Sequence, residues 1–246
     1  TLGFFIEAKG IEKIDPAKVK EAYEKAIEEG EVFSSDIWPQ NATPMLVITQ
    51  KGNNINHIGV NKDYQENRTK IEIEGRRSIA RLAKWFQENI NKDGETEVSI
   101  CAVANEVALR ETRRIVCDKR ITVEEYVNGK KYDDAICYSY YSIDLHKHGE
   151  DGKTLYNIFI SENTIPTIPY RALLPLGLDD ILVAGRCISG DRLAQSAYRV
   201  KASCMAMGQA AGAAAALSVK LDVDLRKLDS DILKDTLEQY NAIVVR

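Results

Sequence analysis

Asp180-Ile-Leu-Val-Ala-Gly-Arg-Cys-Ile-Ser-Gly190 decides how this chain reads. Its apolar part, Ile181 to Ala184, has the character of a buried strand, and Gly185-Arg186 reads as a turn out of it. A helix follows, built around Cys204-Met-Ala-Met-Gly-Gln-Ala-Ala-Gly-Ala-Ala-Ala-Ala216, whose Gly and Ala face admits close backbone approach. A strand, a tight turn and a small-residue helix in succession present strand ends and amides to a large, nucleotide-type cofactor. No strand-like run leads into G-x-G-x-x-G, the fingerprint that opens a dinucleotide-binding fold. The chain therefore reads as the back part of a larger protein.

The bulk composition narrows the partners. With 246 residues and 44% hydrophobic content, the chain holds one large domain or two small ones. The net charge of -4 comes from acidic and basic residues spread along the sequence, so no basic face for nucleic acid or a membrane surface stands out. Cys101, Cys117, Cys137, Cys187 and Cys204 are widely spaced and include no C-x-x-C pair. That pattern disfavours a disulfide framework, a zinc site and a dithiol motif, and it fits buried thiols in a reducing, cytoplasmic compartment. No metal site is expected. Ala202 to Val219 has nearly the length of a membrane span, but its alanine content reads as a packed helix.

Working backward to the N-terminus, Leu2 to Ala8 reads as a strand. Asp15, Pro16 and Gly30 bracket a helix over 16–29. Met45–Thr49 and Ile55–Val60, flanking Gly52-Asn-Asn, predict a hairpin and a small antiparallel sheet. Apolar residues at helical spacing predict the longest helix over 69–90. Thr122 and Glu125 form a capping box that opens a short helix ended by Gly129. Tyr132 to Leu145 reads as strand, 146–153 as loop, and Leu155 to Ile160 as strand. Gly190 to Gln195 reads as loop, and Ser230 to Tyr240 as an amphipathic helix. The composition changes near 165–175, which divides the chain into 1–168 and 169–246. The fold class is mixed α/β to α+β.

Four constellations carry chemistry. Arg110-Glu-Thr-Arg-Arg114 is either a solvated element end or a guanidinium clamp for a carboxylate, phosphate or flavin carbonyl. Asp144 and His146 lie two residues apart on an extended segment and so share a face. Asp144 would orient His146 for proton transfer, unless the histidine is an idle loop residue. Tyr170 and Arg171 sit between Pro169 and Pro175 on stiffened backbone, either aimed at a ligand or simply packed at a crossing. Arg199 precedes the small-residue helix. If that helix starts within Val200, Lys201, Ala202 and Ser203, its free amides would stabilise negative charge, although Gly208-x-x-x-Gly212 also suits plain helix packing.

Taken together, Glu74-Gly-Arg-Arg77, Arg110-Glu-Thr-Arg-Arg-Ile115, Asp133-Asp-Ala135, Ile143-Asp-Leu-His146, Ile168-Pro-Tyr-Arg171, Leu182-Val-Ala-Gly-Arg-Cys-Ile-Ser189 and Cys204–Gly212 closely resemble the FAD-dependent oxidoreductase family, distantly similar to succinate dehydrogenase and fumarate reductase flavoproteins. The resemblance is strong over about 70–218 and weak before it. It implies a glutathione-reductase-like architecture: a substrate domain over 1–168 and, over 169–246, the returning part of the FAD-binding domain, with the N-terminal dinucleotide-binding segment missing. It implies hydride transfer between FAD and a small organic molecule. Gly185, Arg186, Cys187 and Arg199 to Ser203 would lie beside the flavin, with Arg113, Asp144, His146, Tyr170 and Arg171 toward the substrate. Departures fall at Cys117, at Ala202 and in the 190–195 loop, and no His-Gly-x-Asn-Arg motif supports dicarboxylate reduction. The isolated chain should then hold FAD weakly or not at all, be inactive, and self-associate through exposed apolar surface. The competing expectation is a non-enzymatic module that binds an anionic ligand or partner through its Arg and Tyr cluster.

Overall fold

The computed structural model describes residues 2–39, 42–55, 64–92, 94–111, 113–146 and 155–246, and within these not the side chains of 64–67, 146 and 155–157. Two compact units emerge, Thr1–Leu109 and Arg110–Arg246. The compositional change near 165–175 therefore lies inside the second unit. Strand pairing explains why, since residues 135–138 bond to 167–169 across that point.

The first unit is a three-stranded antiparallel sheet with helices packed on it. Strand β1 (Leu2–Lys9) alternates strictly at its start, burying Leu2, Phe4 and Ile6. Helix α1 (Pro16–Glu28) begins as its signals dictate: Asp15 accepts from the Ala17 amide at 2.9 Å, and Pro16 occupies the first turn.

Met45–Thr49 is not a strand. It forms helix α2 (Pro44–Thr49), with proline at its N-terminus and Val47 and Ile48 buried. The apolar run is too short to separate the two periodicities, and burial of adjacent residues decides for helix. Strand β2 (Gly52–Ile55) pairs with β1 instead of with residues 45–49. The rest of the expected hairpin, 56–61, lies outside the described residues.

Helix α3 (Tyr64–Asn89) is the long helix expected, and it buries Ile79, Leu82, Trp85 and Phe86. Strand β3 (Glu97–Val103) completes the order β2-β1-β3. Asp36, fully buried, receives Arg81 through Nε at 3.1 Å and Nη2 at 2.8 Å, and the Phe33 amide at 3.0 Å.

In the second unit, helix α4 (Val123–Val127) carries the full capping box between Thr122 and Glu125. The expected strand over 132–145 is two strands, β4 (Ala135–Tyr138) and β5 (Ile143–His146). Ser139 breaks the run: its amide bonds Pro166 O at 2.9 Å and its carbonyl accepts the buried Tyr126 hydroxyl at 2.9 Å. Strand β6 (Leu155–Ile158) pairs antiparallel with β5, and β7 (Thr167–Pro169) with β4. The loop expected before β6, including His148, lies outside the described residues from 147 to 154.

The run that decided the sequence reading is not a strand either. Residues 181–184 are irregular, Ile181 is exposed, and a single ladder-like bond joins Val183 N to Leu173 O at 2.9 Å. An apolar extended run becomes a strand only beside another, and among the described residues none flanks this one. Gly185–Cys187 then forms one 3-10 turn, with Gly185 at φ 86°.

Where a loop was expected, helix α5 (Arg192–Tyr198) forms, capped by Asp191. One Asp191 oxygen accepts from Ala194 N at 2.8 Å, and the other accepts from Val123 N, the first residue of α4, at 2.6 Å. Helix α6 (Lys201–Leu221) buries Ser203, Met207, Ala210, Ala214 and Leu217, a stripe at spacings of three and four. Among the described residues it is the one helix long and apolar enough to cross a membrane. Helix α7 (Ser230–Gln239) packs on α6 and contributes Leu233 and Leu237 to the same core.

Candidate flavin and anion site

The site grows from three pieces of the second unit: the 185–187 turn, the start of α6, and strand β5. Gly185 needs its positive φ, and a β-carbon placed there would meet nothing closer than Cys204 Sγ at 4.0 Å, so backbone is open to close approach. The turn packs on α6. Val200 caps α6 without a side-chain hydrogen bond, leaving its first amides to other acceptors. Lys201 and Ala202 are exposed there, and Ser203 is buried, its hydroxyl 3.0 Å from the Ser139 hydroxyl. Gln195 donates Nε2 to Arg186 O at 3.1 Å, fixing the turn from behind. Its Oε1 is buried and has no hydrogen-bond partner among the described residues.

Around Asp144 the guanidiniums converge. Arg199 Nη2 donates to Asp144 O at 2.8 Å, and Arg110 Nη1 stands 3.8 Å from Asp144 Oδ2. Ser196 Oγ accepts the Asp144 amide at 3.1 Å, so α5 holds the strand in place. Burial pushes the Arg199 pKa down, and the like charge of Arg110 adds to that, followed in smaller measure by Arg186; Asp144 and Glu111 oppose it. Arg110 and Arg199 are like charges within electrostatic range, with Asp144 and Glu111 as their counter-charges. Glu111 balances part of the charge by pairing with Arg114 at 3.0 Å and Arg192 at 3.0 Å.

The remaining expected residues are placed differently. Tyr170 is buried and donates its hydroxyl to Leu225 O at 3.0 Å; burial pushes its pKa up to about 12. Arg171 forms a forked pair with Asp134, Nε at 2.9 Å and Nη2 at 3.0 Å. Both polar ends are engaged within the unit, by Leu225 and Asp134. Arg113 is exposed. Residues 144 and 146 do fall on one face of β5, since Ile143 and Leu145 are buried on the other. The His146 side chain lies outside the described residues, and Asp144 is engaged by arginines. Cys187 donates its thiol to Ala184 O at 3.5 Å.

Sequence reasoning missed Arg110 as the cation at Asp144 and passed over Gln195 and Ser196 altogether. Arg110 was visible inside the arginine cluster. The other two had no signal, because α5 read as loop.

The profile of the family described as FAD dependent oxidoreductase matches residues 5–237. The chain belongs to the FAD-dependent oxidoreductase family. No curated protein and no solved structure matches it. FAD is the cofactor this family implies, and the oxidoreductase's second unit fits it on three counts: an unshielded glycine turn, helix amides without a side-chain cap, and an orphaned buried amide oxygen on Gln195. Among the described residues no group of His, Cys, Asp and Glu is arranged to hold a metal ion.

Proposed function

We propose that this member of the family transfers a hydride between FAD and a small organic anion. The observation that carries the reading is the convergence of Arg110 and Arg199 on Asp144, beside the Gly185–Cys187 turn and the start of α6. In this reading Gly185, Arg186, Cys187 and residues 199–203 hold the flavin, in a glutathione-reductase-like arrangement. When bound, FAD supplies two-electron chemistry at its isoalloxazine ring.

The chain's own residues do the rest. The α6 amides and Arg186 favour negative charge on the cofactor. Arg110 and Arg199 orient the anionic end of the substrate by charge-assisted hydrogen bonds. Asp144 keeps those arginines in register. His146, on the same face of β5, gives or takes a proton. Arg113 extends the positive field at the surface. Tyr170 and Arg171 support the site by holding the β7 segment in place. A small-molecule partner fits the distributed charge better than nucleic acid or a membrane.

The test follows flavin bleaching in the FAD-loaded enzyme against a panel of organic acids and neutral analogues. Losing a hydrogen bond to a charged group costs about 1.5–3 kcal/mol, so Arg199→Gln and Arg110→Gln should each raise KM for acids about 10- to 150-fold while leaving neutral analogues unaffected. Equal use of neutral and anionic substrates by the wild-type enzyme would overturn the anion assignment. His146→Gln should lower kcat, and unchanged turnover would remove it from the mechanism.

A further inference from the structure

The 185–187 turn and the start of α6 bring together more than cofactor contacts. Each carries a cysteine, and these two are the partly exposed thiols of their unit, whereas Cys117 and Cys137 are buried. The sulfurs lie beside two consecutive residues, Ala184 and Gly185. Cys187 Sγ is 3.5 Å from Ala184 O, and Cys204 Sγ is 4.0 Å from where a β-carbon on Gly185 would stand. With no side chain at Gly185, nothing of that residue screens Cys204. The two thiols lie within electrostatic range of one another and of Arg186.

We propose that Cys187 and Cys204 form a reversible thiol-disulfide pair that clips the Gly185–Cys187 turn to the first turn of α6. The oxidant is a low-molecular-weight disulfide such as oxidised glutathione. The Cys187 thiolate attacks one of its sulfurs and expels one glutathione thiolate; the Cys204 sulfur, having given its proton to solvent, then attacks Cys187 Sγ and expels the second. Two protein thiols lose two electrons and one small disulfide becomes two thiols, so the exchange balances. Burial holds the Cys204 thiol up, and the Arg186 charge offsets part of that by favouring the thiolate. Cys117 and Cys137 lie within electrostatic range of Cys187 and Cys204 respectively, but both are buried, and burial pushes their thiols up to about 11 and about 12. A bridge here would fix the backbone immediately after Arg186. That effect on the cofactor turn rests on the functional reading above; the bridge does not.

The experiment uses the whole chain with Cys101→Ser, which removes the exposed thiol of the other unit. The protein is equilibrated with oxidised glutathione, acid-quenched, denatured, blocked with N-ethylmaleimide and digested with trypsin without reduction. Of the four remaining cysteines, five less the one replaced, two should escape blocking, and peptides 187–192 and 202–220 should appear covalently joined. Cys187→Ser and Cys204→Ser should each abolish the joined species, and dithiothreitol should restore four blocked thiols. Four blocked thiols after oxidation, separate glutathione adducts on the two cysteines, or a bridge to Cys117 or Cys137 would overturn the pair. Flavin retention by the FAD-loaded protein, compared before and after oxidation, is read separately. A joined peptide with unchanged retention leaves the pair standing and refutes the cofactor reading of the turn.

Discussion

Replacing Asp36 by asparagine tests whether the first unit depends on this fully buried carboxylate. Asp36 has no exposed surface, while Arg81 keeps 23% of its side-chain surface and stacks on Phe33 with its guanidinium 4.6 Å from the ring centroid. The substitution removes the charge from a forked pair but leaves Arg81 bonded to Glu74 at 3.2 Å and to Ser78 at 2.8 Å. Breaking a buried pair from one side costs about 3–5 kcal/mol. Because Arg81 keeps two partners and some access to water, the cost should fall near the lower end, about 3 kcal/mol. Both tryptophans, Trp38 and Trp85, belong to the first unit, so tryptophan emission during urea unfolding reports that unit alone. The transition should move to lower urea without a change of slope. Asp36→Asn combined with Arg81→Met should recover part of the loss, since an apolar replacement of the whole pair leaves no stranded charge. A shift worth less than about 1 kcal/mol for the single variant, or no recovery in the double, would refute the account.

The two sides of α6 should answer differently to enlargement. Ala214→Leu overfills the core and should cost about 1–3 kcal/mol, while Ala216→Leu on the exposed side should be nearly neutral, both read by circular-dichroism melting. Acid should weaken the second unit through Asp134: burial alone would raise its pKa, but the hydrogen bonds and charge of Arg171 outweigh that and hold it low. A carboxylate with a depressed folded pKa stabilises above its unfolded value of about 3.9 and loses that contribution as pH falls through the folded value. Asp134→Asn should therefore flatten the acid limb of the stability curve. An unchanged limb would refute the assignment.

What could be read from sequence alone was local. Asp15-Pro16 and the Thr122–Glu125 box act within one helical turn, so α1 and α4 begin where their letters say. The 3.6-residue spacing from Ile71 to Phe86 likewise exposes α3. Signals failed where the outcome depends on a distant partner. Residues 181–184 have the composition of a strand but no neighbour among the described residues to pair with, and Met45–Thr49 is drawn into a helix by what its two buried residues meet. The site divides in the same way. Arg199 and Asp144 were visible as charged residues flanking strong elements. That Arg199 would meet the Asp144 carbonyl, that Arg110 would stand at its carboxylate, and that Tyr170 and Arg171 would be occupied by Leu225 and Asp134, depends on contacts 34 or more residues apart, counting Arg110 to Asp144 as 144 less 110.

Asp191 ties two helices with one carboxylate, its oxygens divided between Ala194 N and Val123 N across 68 residues of sequence. Displacing Asp191 would leave both leading ends short of an acceptor, so the pair behaves as a single hinge pin. Since α5 also carries Gln195, Ser196 and, just beyond its end, Arg199, any slackness at that pin would be transmitted to the arginines facing Asp144. A residue that touches no proposed ligand thus governs how firmly Arg199 is held against Asp144.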